Sequence, residues 1–235
     1  MSLTTFDSAV VLVTGANGGL GTEFVRQALE AGAAKVYATA RTPKEWADDR
    51  VVPLQLDVTD AASIAAAAAA ANDVTVVVNN AGIGGGSGIA TGTDAELRAM
   101  FDTNFFGAVA VARAFAPVLA TNGGGALLNV HSVLSWIGVA GAYSAAKAAL
   151  WSATNSLRLE LAPQGTLVTG LHVGWIDTPM AAHTSDPKND PAVVVRDSYA
   201  ALLAGEYEVL ADELSASVKQ GLSAPILSLY PQLAS

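Results

Sequence analysis

The sequence feature that most limits how this chain can fold is a glycine-rich turn near its start. The apolar run at residues 10–13 (VVLV) predicts a buried strand, and residues 14–21 (TGANGGLG) follow it directly. A helical pattern over residues 20–31, stopped by Gly32, comes next. Glycines between a strand and a helix let the backbone approach a pyrophosphate, whose negative charge the helix N-terminus stabilises. The turn therefore favours a dinucleotide-binding α/β unit.

The spacing of these glycines is less specific than their position. They follow Gly-x-x-x-Gly-x-Gly rather than the more usual Gly-x-Gly-x-x-Gly, and glycines also occur in ordinary tight turns. Nucleotide binding is favoured because the cluster follows the first strand and opens the first helix. The sequence has no Gly-Lys-Ser/Thr of the Walker type, which disfavours a nucleoside triphosphate.

Strand and helix patterns alternate along the rest of the chain. Residues 74–78 (VTVVV) are all β-branched and predict a strand in the middle of a parallel sheet. Asp60 and Asp94 are predicted to cap the helices that follow them. Further strands are predicted at residues 35–39, 51–56, 125–130, 166–172 and 207–210, and further helices at 61–71, 94 to about 120, 142–161, 192–203 and 212–221.

This order predicts an α/β fold made of one Rossmann-like domain over residues 1–235. We expect a doubly wound, mostly parallel sheet of about seven strands with helices on both faces. The segment at about 179–200 is polar and contains prolines at its start, and it is expected to form a loop over the substrate. The tail at about 205–235 has weaker patterns and is expected to end irregularly.

The charge balance and residue usage exclude several classes of function. Hydrophobic residues make up 51% of the chain, enough for a sizeable core, and 12 basic against 21 acidic residues give a net charge of −9. Such a protein is poorly suited to bind nucleic acid or an anionic membrane, since both are polyanions. The absence of cysteine excludes disulfides and thiolate catalysis, and the three histidines lack metal-site spacing, so no metal is predicted.

The start of the chain and its apolar stretches bear on its location. Residues 1–7 (MSLTTFD) contain neither a basic nor an apolar targeting segment. The longest apolar stretches are interrupted by Asn, Gly or Ser before they reach the length of a membrane span. We therefore expect a cytoplasmic protein.

The residue after the second strand predicts which dinucleotide is used. Enzymes that use NAD place an acidic residue there, against the ribose 2′-hydroxyl. This chain has Arg41, which can grip a 2′-phosphate in a charge-assisted contact that a carboxylate would repel. The pattern favours NADP(H) over NAD(H), with an ordinary surface arginine as the alternative. Asp57, after the third strand, either accepts a hydrogen bond from the adenine amino group or shapes the turn before the alanine-rich helix.

Three polar residues form a candidate catalytic group. Tyr143 and Lys147 are four residues apart near the start of a predicted helix, so they share one face. A neighbouring cation stabilises a phenolate and lowers the pKa of the phenol, which makes the pair a candidate general acid/base. Ser132 follows the fifth strand at the edge where open α/β sheets bind ligands, and its hydroxyl is a candidate to hold a substrate oxygen. Each residue alone is compatible with a solvated helix or a turn.

Together these features closely resemble the short-chain dehydrogenase/reductase family over roughly residues 8–180. The resemblance rests on TGxxxGxG at 14–21, NNAG at 79–82, Asn104, Ser132 and Tyr143-x-x-x-Lys147, in this order and near the family spacing. It implies that Tyr143 exchanges a proton with the substrate oxygen and that Lys147 lowers the tyrosine pKa and holds the nicotinamide ribose. It also implies that Ser132 orients the substrate and that Asn104, inside a long helix, holds a water of a proton relay.

The same resemblance implies a cofactor site and an assembly. Asn80, Ala81 and Gly82 are expected to bracket the adenosine-side ribose and to brace the central sheet, and a matching of the family's Pro-Gly-x-x-x-Thr places Gly174, Ile176 and Thr178 at the nicotinamide end. We expect a homodimer or homotetramer. The full expected cofactor-binding set is Gly15, Asn17, Gly19, Leu20, Gly21, Arg41, Asp57, Val58, Asn80, Ala81, Gly82, Tyr143, Lys147, Gly174, Ile176 and Thr178.

The sequence departs from the family pattern at several points. Val173 stands where proline is usual, which predicts a less rigid turn, and the stretch between Ser132 and Tyr143 is short, so Ser135 is the alternative to Ser132. The usual acidic-Gly-Gly ending of the last strand is absent. The candidate pocket walls suggest an apolar carbonyl or alcohol substrate, although each is equally compatible with the core: Trp136, Ile137, Trp175, Met180 and residues 83–89.

Two other functions remain compatible with the fold. One is a dinucleotide-binding sensor or scaffold without turnover, which would have no need of Ser132, Tyr143, Lys147 and Asn104 together. The other keeps the fold but performs epimerase or dehydratase chemistry, in which the cofactor returns to its starting redox state after each cycle. The residues favour an oxidoreductase of the carbonyl reductase or alcohol dehydrogenase type.

Overall fold

The computed structural model describes residues 5–234, and within that range seven strands form one sheet in which every neighbouring pair is parallel. Residues 1–4, which make up most of the segment considered above for a targeting signal, lie outside the described residues. The strands are β1 (Val10–Thr14), β2 (Lys35–Ala40), β3 (Val51–Gln55), β4 (Val76–Asn79), β5 (Ala126–Val130), β6 (Leu167–His172) and β7 (Glu208–Leu210). Their bounds lie within about two residues of the predicted ones, as expected for pattern-based boundaries.

The helices follow the predicted order. They are α1 (Gly19–Glu30), α2 (Ala61–Ala70), α3 (Asp94–Phe101), α4 (Ala108–Thr121), α5 (Gly141–Leu161), α6 (Pro191–Ala204), α7 (Glu213–Gln220) and the single turn α8 (Ile226–Leu229). Asp60 caps α2 as predicted, since its side chain accepts a hydrogen bond from Ala62 N at 2.9 Å. The prediction for α3 was wrong by one residue. Thr93 is its N-cap and forms a reciprocal capping box with Glu96, which makes Asp94 the first helical residue.

The helix predicted from residue 94 to about 120 consists of three consecutive helical segments. A π-helical stretch at Asp102–Gly107 joins α3 to α4, so a 28-residue helical segment runs from Asp94 to Thr121. Length and composition alone make this segment compatible with a membrane span, which the sequence reading did not anticipate. Its α4 part buries Val111, Phe115 and Leu119 in the apolar layer beside the sheet, as the core helix of a doubly wound fold does.

The strand order positions the candidate site. It is β3-β2-β1-β4-β5-β6-β7, which puts β4 at the centre, as the β-branched run predicted. The chain leaves β1 toward β2 and β3 on one side, and β4 starts the run of strands on the other side. In such sheets ligands bind in the crevice at the carboxyl ends of the strands, where the order reverses. Here that crevice lies above the ends of β1 and β4.

Apolar layers cover both faces of the sheet. One layer packs α1 and α6 on the sheet around Phe24, Val25 and Tyr199, and the other packs α2, α4 and α5 around Ile64, Phe115 and Leu157. Successive strand residues point to opposite faces, so Val11 and Val13 enter the first layer and Leu12 enters the second. This two-sided burial holds the strand ends, and with them the candidate site, in fixed positions.

The segment after β6 contains the helix predicted at residues 192–203, which shortens the predicted substrate loop. The predicted substrate loop at about 179–200 ends at Asp190, because Pro191 opens α6 and the Asp190 carboxylate caps it through Ala192 N at 2.8 Å. Its second half is therefore helix. The predicted closing strand forms as β7 and pairs with β6. Beyond it, the tail returns to the body of the protein, where Tyr230 Oη accepts a hydrogen bond from Gly138 N at 2.9 Å.

Candidate active site

The glycine turn brings the backbone ends of β1 and α1 unusually close together. Gly15 has φ +68° and α1 begins at Gly19. A Cβ atom on Gly21 would lie 2.2 Å from the carbonyl oxygen of Gly15, so no side chain fits at that position. The turn thus leaves backbone N–H groups at the start of α1 without covering side chains, which is the arrangement that binds a pyrophosphate.

Asn80 and Thr14 fix this turn to the centre of the sheet. Thr14 Oγ1 accepts hydrogen bonds from Asn80 N at 3.0 Å and Ala81 N at 2.9 Å. The Asn80 side-chain amide donates to Thr14 O at 2.9 Å and to Gly15 O at 3.3 Å. The expected brace is therefore present, and the amide nitrogen of Asn80 is already engaged by the glycine turn.

Asn17 links the glycine turn to the segment that follows β2. Its amide donates to Thr42 O at 2.7 Å, and its Oδ1 accepts from Lys44 N at 3.2 Å. Lys44 Nζ donates to Asn17 O at 3.1 Å and to Thr22 Oγ1 at 3.3 Å. Sequence reasoning did not select Lys44, a second cation beside the turn, although a basic residue three positions after Arg41 was a usable signal.

Arg41 is exposed at the end of β2. Within the described residues it makes no hydrogen bond and no salt bridge, and it lines a cavity of about 540 Å³ together with Asp57 and Ser63. Its guanidinium group is thus available to an anion.

Asp57 is held by the turn that follows β3. Its Oδ1 accepts hydrogen bonds from Thr59 N at 2.9 Å and Thr59 Oγ1 at 2.7 Å. These bonds, more than the charge of Arg41, hold the Asp57 pKa below its usual value. This oxygen shapes the turn before α2. The neighbouring Val58 packs against Gly107 of the π-helical stretch.

Tyr143 and Lys147 lie one turn apart at the start of α5, as predicted. Lys147 is buried, and its Nζ donates to the carbonyl oxygen of Val130, the last residue of β5, at 2.8 Å. Lys147 Nζ lies 5.8 Å from the centre of the Tyr143 ring. The cation is therefore fixed by the end of the sheet and stands beside the phenol without ion-pairing to it.

Burial governs the protonation of this pair. Burial raises the pKa of Tyr143 to about 12, and a hydrogen bond with Ser132 offsets only part of that rise. Burial also lowers the pKa of Lys147 to about 8. Desolvation disfavours the charged form of both groups and sets the direction of both pKa shifts. The expectation that Lys147 lowers the tyrosine pKa stays a prediction.

Ser132, rather than Ser135, is the serine whose hydroxyl acts on the pKa of Tyr143 and lowers it. Ser132 Oγ also accepts from Leu134 N at 3.1 Å. Ser135 Oγ accepts from Ser132 N at 3.3 Å, so its hydroxyl faces back to the turn. His172, in β6, holds this turn from below, because its Nδ1 lies 3.3 Å from Ser132 O.

Asn104 ties the π-helical stretch to the loop after β4. Its amide oxygen accepts from Ile83 N at 3.1 Å, and its amide nitrogen donates to Ile83 O at 3.0 Å and to Met100 Sδ at 2.8 Å. A Cβ on Gly82 would lie 2.7 Å from Asn104 Oδ1 and 3.9 Å from Lys147 Nζ. Gly82, Asn104 and Lys147 thus meet at one point, where both the oxygen and the nitrogen of the Asn104 amide are hydrogen-bonded.

The loop after β6 reaches back over the glycine turn. A Cβ on Gly19 would lie 3.5 Å from the Thr178 side chain, and a Cβ on Gly84 would lie 2.8 Å from Met180 Cγ. Thr178 thus faces the start of α1, and Met180 contacts the loop after β4 across the crevice. Ile176 is partly buried against the core. Gly174, at the start of this loop, donates its N–H to Asp212 in the tail at 2.6 Å, a contact that no sequence pattern had indicated.

The predicted pocket-wall residues divide into two groups. Trp136, a predicted pocket wall, stacks on His172 with ring centres 4.0 Å apart. His172 in turn stacks on His131 at 4.7 Å. This stack supports the turn that carries Ser132. Met180 and Ile83 remain exposed at the crevice.

Comparison with known proteins gives one consistent result. The sequence model described as short chain dehydrogenase matches residues 9–189. The chain is 30% identical over 216 residues to the 3-oxoacyl-(acyl-carrier-protein) reductase of Salmonella typhimurium, covering 87% of each chain. It is 36% identical to a short chain dehydrogenase from Burkholderia cenocepacia solved in complex with NADP, with a TM-score of 0.91 over 98% of this chain and 100% of the other. A Burkholderia phymatum short chain dehydrogenase/reductase in complex with NAD shares the fold at 23% identity, with a TM-score of 0.81 over 92% and 93% of the two chains.

Proposed function

The chain belongs to the short chain dehydrogenase family of oxidoreductases, and we propose that it transfers a hydride between NADP(H) and a carbonyl/alcohol pair. The observation that carries this proposal is the juxtaposition of Ser132, Tyr143 and Lys147 at the end of β5. A hydroxyl, a phenol and a buried ammonium group meet there beside the crevice that the glycine turn opens. Such a set suits proton exchange with a substrate oxygen.

The chain offers a consistent place for the dinucleotide. The exposed backbone at Gly21 and the start of α1 suits a pyrophosphate, and the unpaired guanidinium of Arg41 suits a 2′-phosphate. Thr178 lies over the opposite end of the same turn. Bound NADP(H) would supply or accept the hydride at the carbon of the substrate.

Each catalytic side chain has a proposed part in the proton chemistry. Ser132 orients the substrate oxygen toward Tyr143, and Tyr143 donates its proton to that oxygen during reduction. A pKa near 12 keeps the phenol protonated at neutral pH, which is the form that reduction requires. Lys147, fixed on Val130 O, then stabilises the phenolate. Asn104 holds the loop at Ile83 and is proposed to hold a water that relays the next proton to Tyr143.

The preference for NADP(H) is supported by charge. Arg41 is exposed and unpaired within the described residues, and Lys44 adds a second cation on the same side of the turn. A relative solved with NADP is 36% identical to this chain. A 2′-phosphate placed between these groups would gain charge-assisted hydrogen bonds that NAD lacks.

The substrate is proposed to be a small apolar ketone or aldehyde. Ile83, Val139 and Met180 are exposed on the segments that border Tyr143, and exposed apolar groups around a polar centre are typical of such pockets. A relative that is 30% identical reduces an oxoacyl group according to its name, which agrees with carbonyl reduction. A cytoplasmic location, a homodimer or homotetramer and the lack of nucleic-acid and membrane partners remain predictions.

The direct test is NADPH consumption against a panel of aldehydes and ketones of graded size and polarity. We expect turnover with at least one apolar ketone, and its loss in Tyr143→Phe with NADPH binding retained. Binding of NADPH without turnover across the whole panel would instead support a sensor. Product formation with no net NADPH consumption would support an epimerase or dehydratase.

A further inference from the structure

Asp212 joins the C-terminal tail to both ends of the loop after β6. Its Oδ2 atom accepts hydrogen bonds from Gly174 N at 2.6 Å and from the Asn189 side-chain amide at 2.7 Å. Its other oxygen, Oδ1, accepts from Ser215 N at 2.7 Å and caps α7. One carboxylate thus performs two tasks with two different oxygens.

The residues that follow Gly174 are themselves bonded to Asn189. Asn189 N and the Asn189 side chain both donate to Trp175 O, at 2.8 and 2.9 Å. Asp177 N donates to Asn189 O at 2.9 Å, and Ile176 forms an isolated bridge with Asn189. The outgoing and returning ends of the loop therefore run side by side, and Asp212 lies where they meet.

This contact explains how the turn after β6 is ordered without the proline that the family usually has at position 173. A proline at this position would fix the backbone φ angle, and Val173 does not. Val173 O instead accepts from Val133 N at 3.0 Å, and the next residue, Gly174, is held by the Asp212 carboxylate. A hydrogen bond to an ionised acceptor is among the stronger kinds. Three N–H donors also hold the pKa of Asp212 below its usual value despite its partial burial.

We propose that Asp212 is a positioning residue, which holds the loop formed by residues 174–189 over the glycine turn and so sets how tightly the nicotinamide end of the cofactor and the substrate are gripped. This inference rests on the proposed function, because the loop carries Thr178 above Gly19 and Met180 across the crevice. Asp212 itself touches neither substrate nor cofactor in this account. It acts through Gly174 and Asn189.

The side chains available for substitution separate the two tasks of Asp212. Serine is a good N-cap residue, so Asp212→Ser keeps a cap for α7 but is too short to reach Gly174 and Asn189. Asp212→Ala loses the cap of α7 as well as the bonds to Gly174 and Asn189. Asn189→Ala removes one partner of the carboxylate, together with the side-chain bond to Trp175 O, and does not alter the tail. Glu213→Gln is a matched charge control, because Glu213 is the next acidic residue of the same helix, is exposed and makes no hydrogen bond within the described residues.

Hydrogen exchange tests, without any catalytic assay, whether Asp212 holds the loop formed by residues 174–189. In the full-length protein without cofactor, amides in residues 174–189 should exchange faster in Asp212→Ser and in Asn189→Ala, on the order of tenfold as for loss of a hydrogen bond to a charged acceptor. Glu213→Gln should match the wild type, and amides of β1 and α1 should be unchanged in all variants. The effects of Asp212→Ser and Asn189→Ala on exchange should be less than additive when combined, because both variants remove the bond between Asn189 and Asp212.

Binding and kinetics then test the functional half of the inference. We expect weaker NADPH binding and a raised KM for the carbonyl substrate in both single variants, each by about tenfold, with a smaller change in kcat. A purely structural role would lower Tm in Asp212→Ala while Asp212→Ser stayed equal to the wild type in loop exchange and in KM. That outcome overturns the proposal. Failure of the wild type to turn over any carbonyl compound would instead refute the proposed function. Hydrogen exchange of the loop would still show whether Asp212 holds it in place.

Discussion

Lys147 Nζ stands 5.8 Å from the centre of the Tyr143 ring, one helical turn along α5. The ammonium group donates to Val130 O, so the end of β5 holds it in place. Neither member of the pair has a buried counter-charge among the residues that the structure describes, and burial therefore governs both pKa values. The phenol is kept neutral and the ammonium is made easier to deprotonate. This relationship leads to the first prediction.

Stability should depend on pH through Lys147. Its pKa is about 8 in the folded protein and 10.5 in the unfolded chain, so between these values the unfolded state binds more protons. The free energy of unfolding should therefore rise with pH in that window, by about 3 kcal/mol for a shift of this size. Denaturant unfolding from pH 7 to 10.5 should show this rise in the wild type relative to Lys147→Met.

Lys35→Met is the matched control for that experiment. The pKa of Lys35 is raised above 10.5 by its hydrogen bond to Asp73, so its contribution is constant up to pH 10.5 and is lost only above it. The control should leave the rise between pH 8 and 10.5 intact. Parallel curves for the wild type and Lys147→Met would show that the ammonium group is not desolvated.

Acid should destabilise the fold through His172. Burial lowers its pKa to about 3. Between pH 6.5 and 3, His172 therefore binds a proton in the unfolded chain and stays neutral in the folded protein. Stability is therefore lost as pH falls below 6.5. His131, stacked on it, has a pKa lowered in the same direction by burial. His172→Asn, which keeps an amide donor for Ser132 O, should flatten the acid limb of a plot of Tm against pH, whereas the exposed His183→Asn should not.

Arg41 should discriminate between the two dinucleotides. Arg41→Ala should weaken NADPH on the order of 10- to 100-fold, the size of one or two lost charge-assisted contacts, and leave NADH nearly unchanged. Fluorescence titration with both cofactors measures this directly. Arg196→Ala, an exposed arginine on α6 paired with Asp197, is the control and should change neither affinity. Equal losses for NADPH and NADH in Arg41→Ala would refute the assignment to the 2′-phosphate.

The two serines of the turn after β5 should behave differently. The Ser132 side chain acts on Tyr143 and lowers its pKa, whereas Ser135 Oγ is engaged by Ser132 N. Ser132→Ala should lower kcat/KM on the order of a hundredfold, as for loss of an electrostatic donor to the reacting oxygen. Ser135→Ala should cost mainly stability, measured as a lower Tm. A reversed order of the two kcat/KM values would make Ser135 the substrate-orienting residue.

Sequence patterns were sufficient where the physics is local. The apolar run of β1, the β-branched run of β4 and the four-residue spacing of Tyr143 and Lys147 are each set by neighbouring residues, and the structure agrees with them. The error at α3 was local too. Two adjacent candidates competed there, and the reciprocal bonds between Thr93 and Glu96 decide in favour of Thr93.

Features that depend on distant residues were not accessible in this way. The pKa of Tyr143 is set by what covers it, and periodicity does not report the depth of burial. The contact of Asp212 with Gly174 spans 38 residues and joins two irregular segments. The position of Lys44 depends on how the segment after β2 folds back onto Asn17.

Transfer of deuterium from labelled NADPH to an accepted ketone tests the central claim most directly. The account predicts that the wild-type protein places the label on the carbinol carbon of the product. It also predicts that Tyr143→Phe loses this transfer by about 10²- to 10⁴-fold, the usual contribution of a general acid, while binding NADPH as tightly as the wild type. Label transfer by Tyr143→Phe at the wild-type rate would contradict the account, because another group would then be protonating the substrate oxygen.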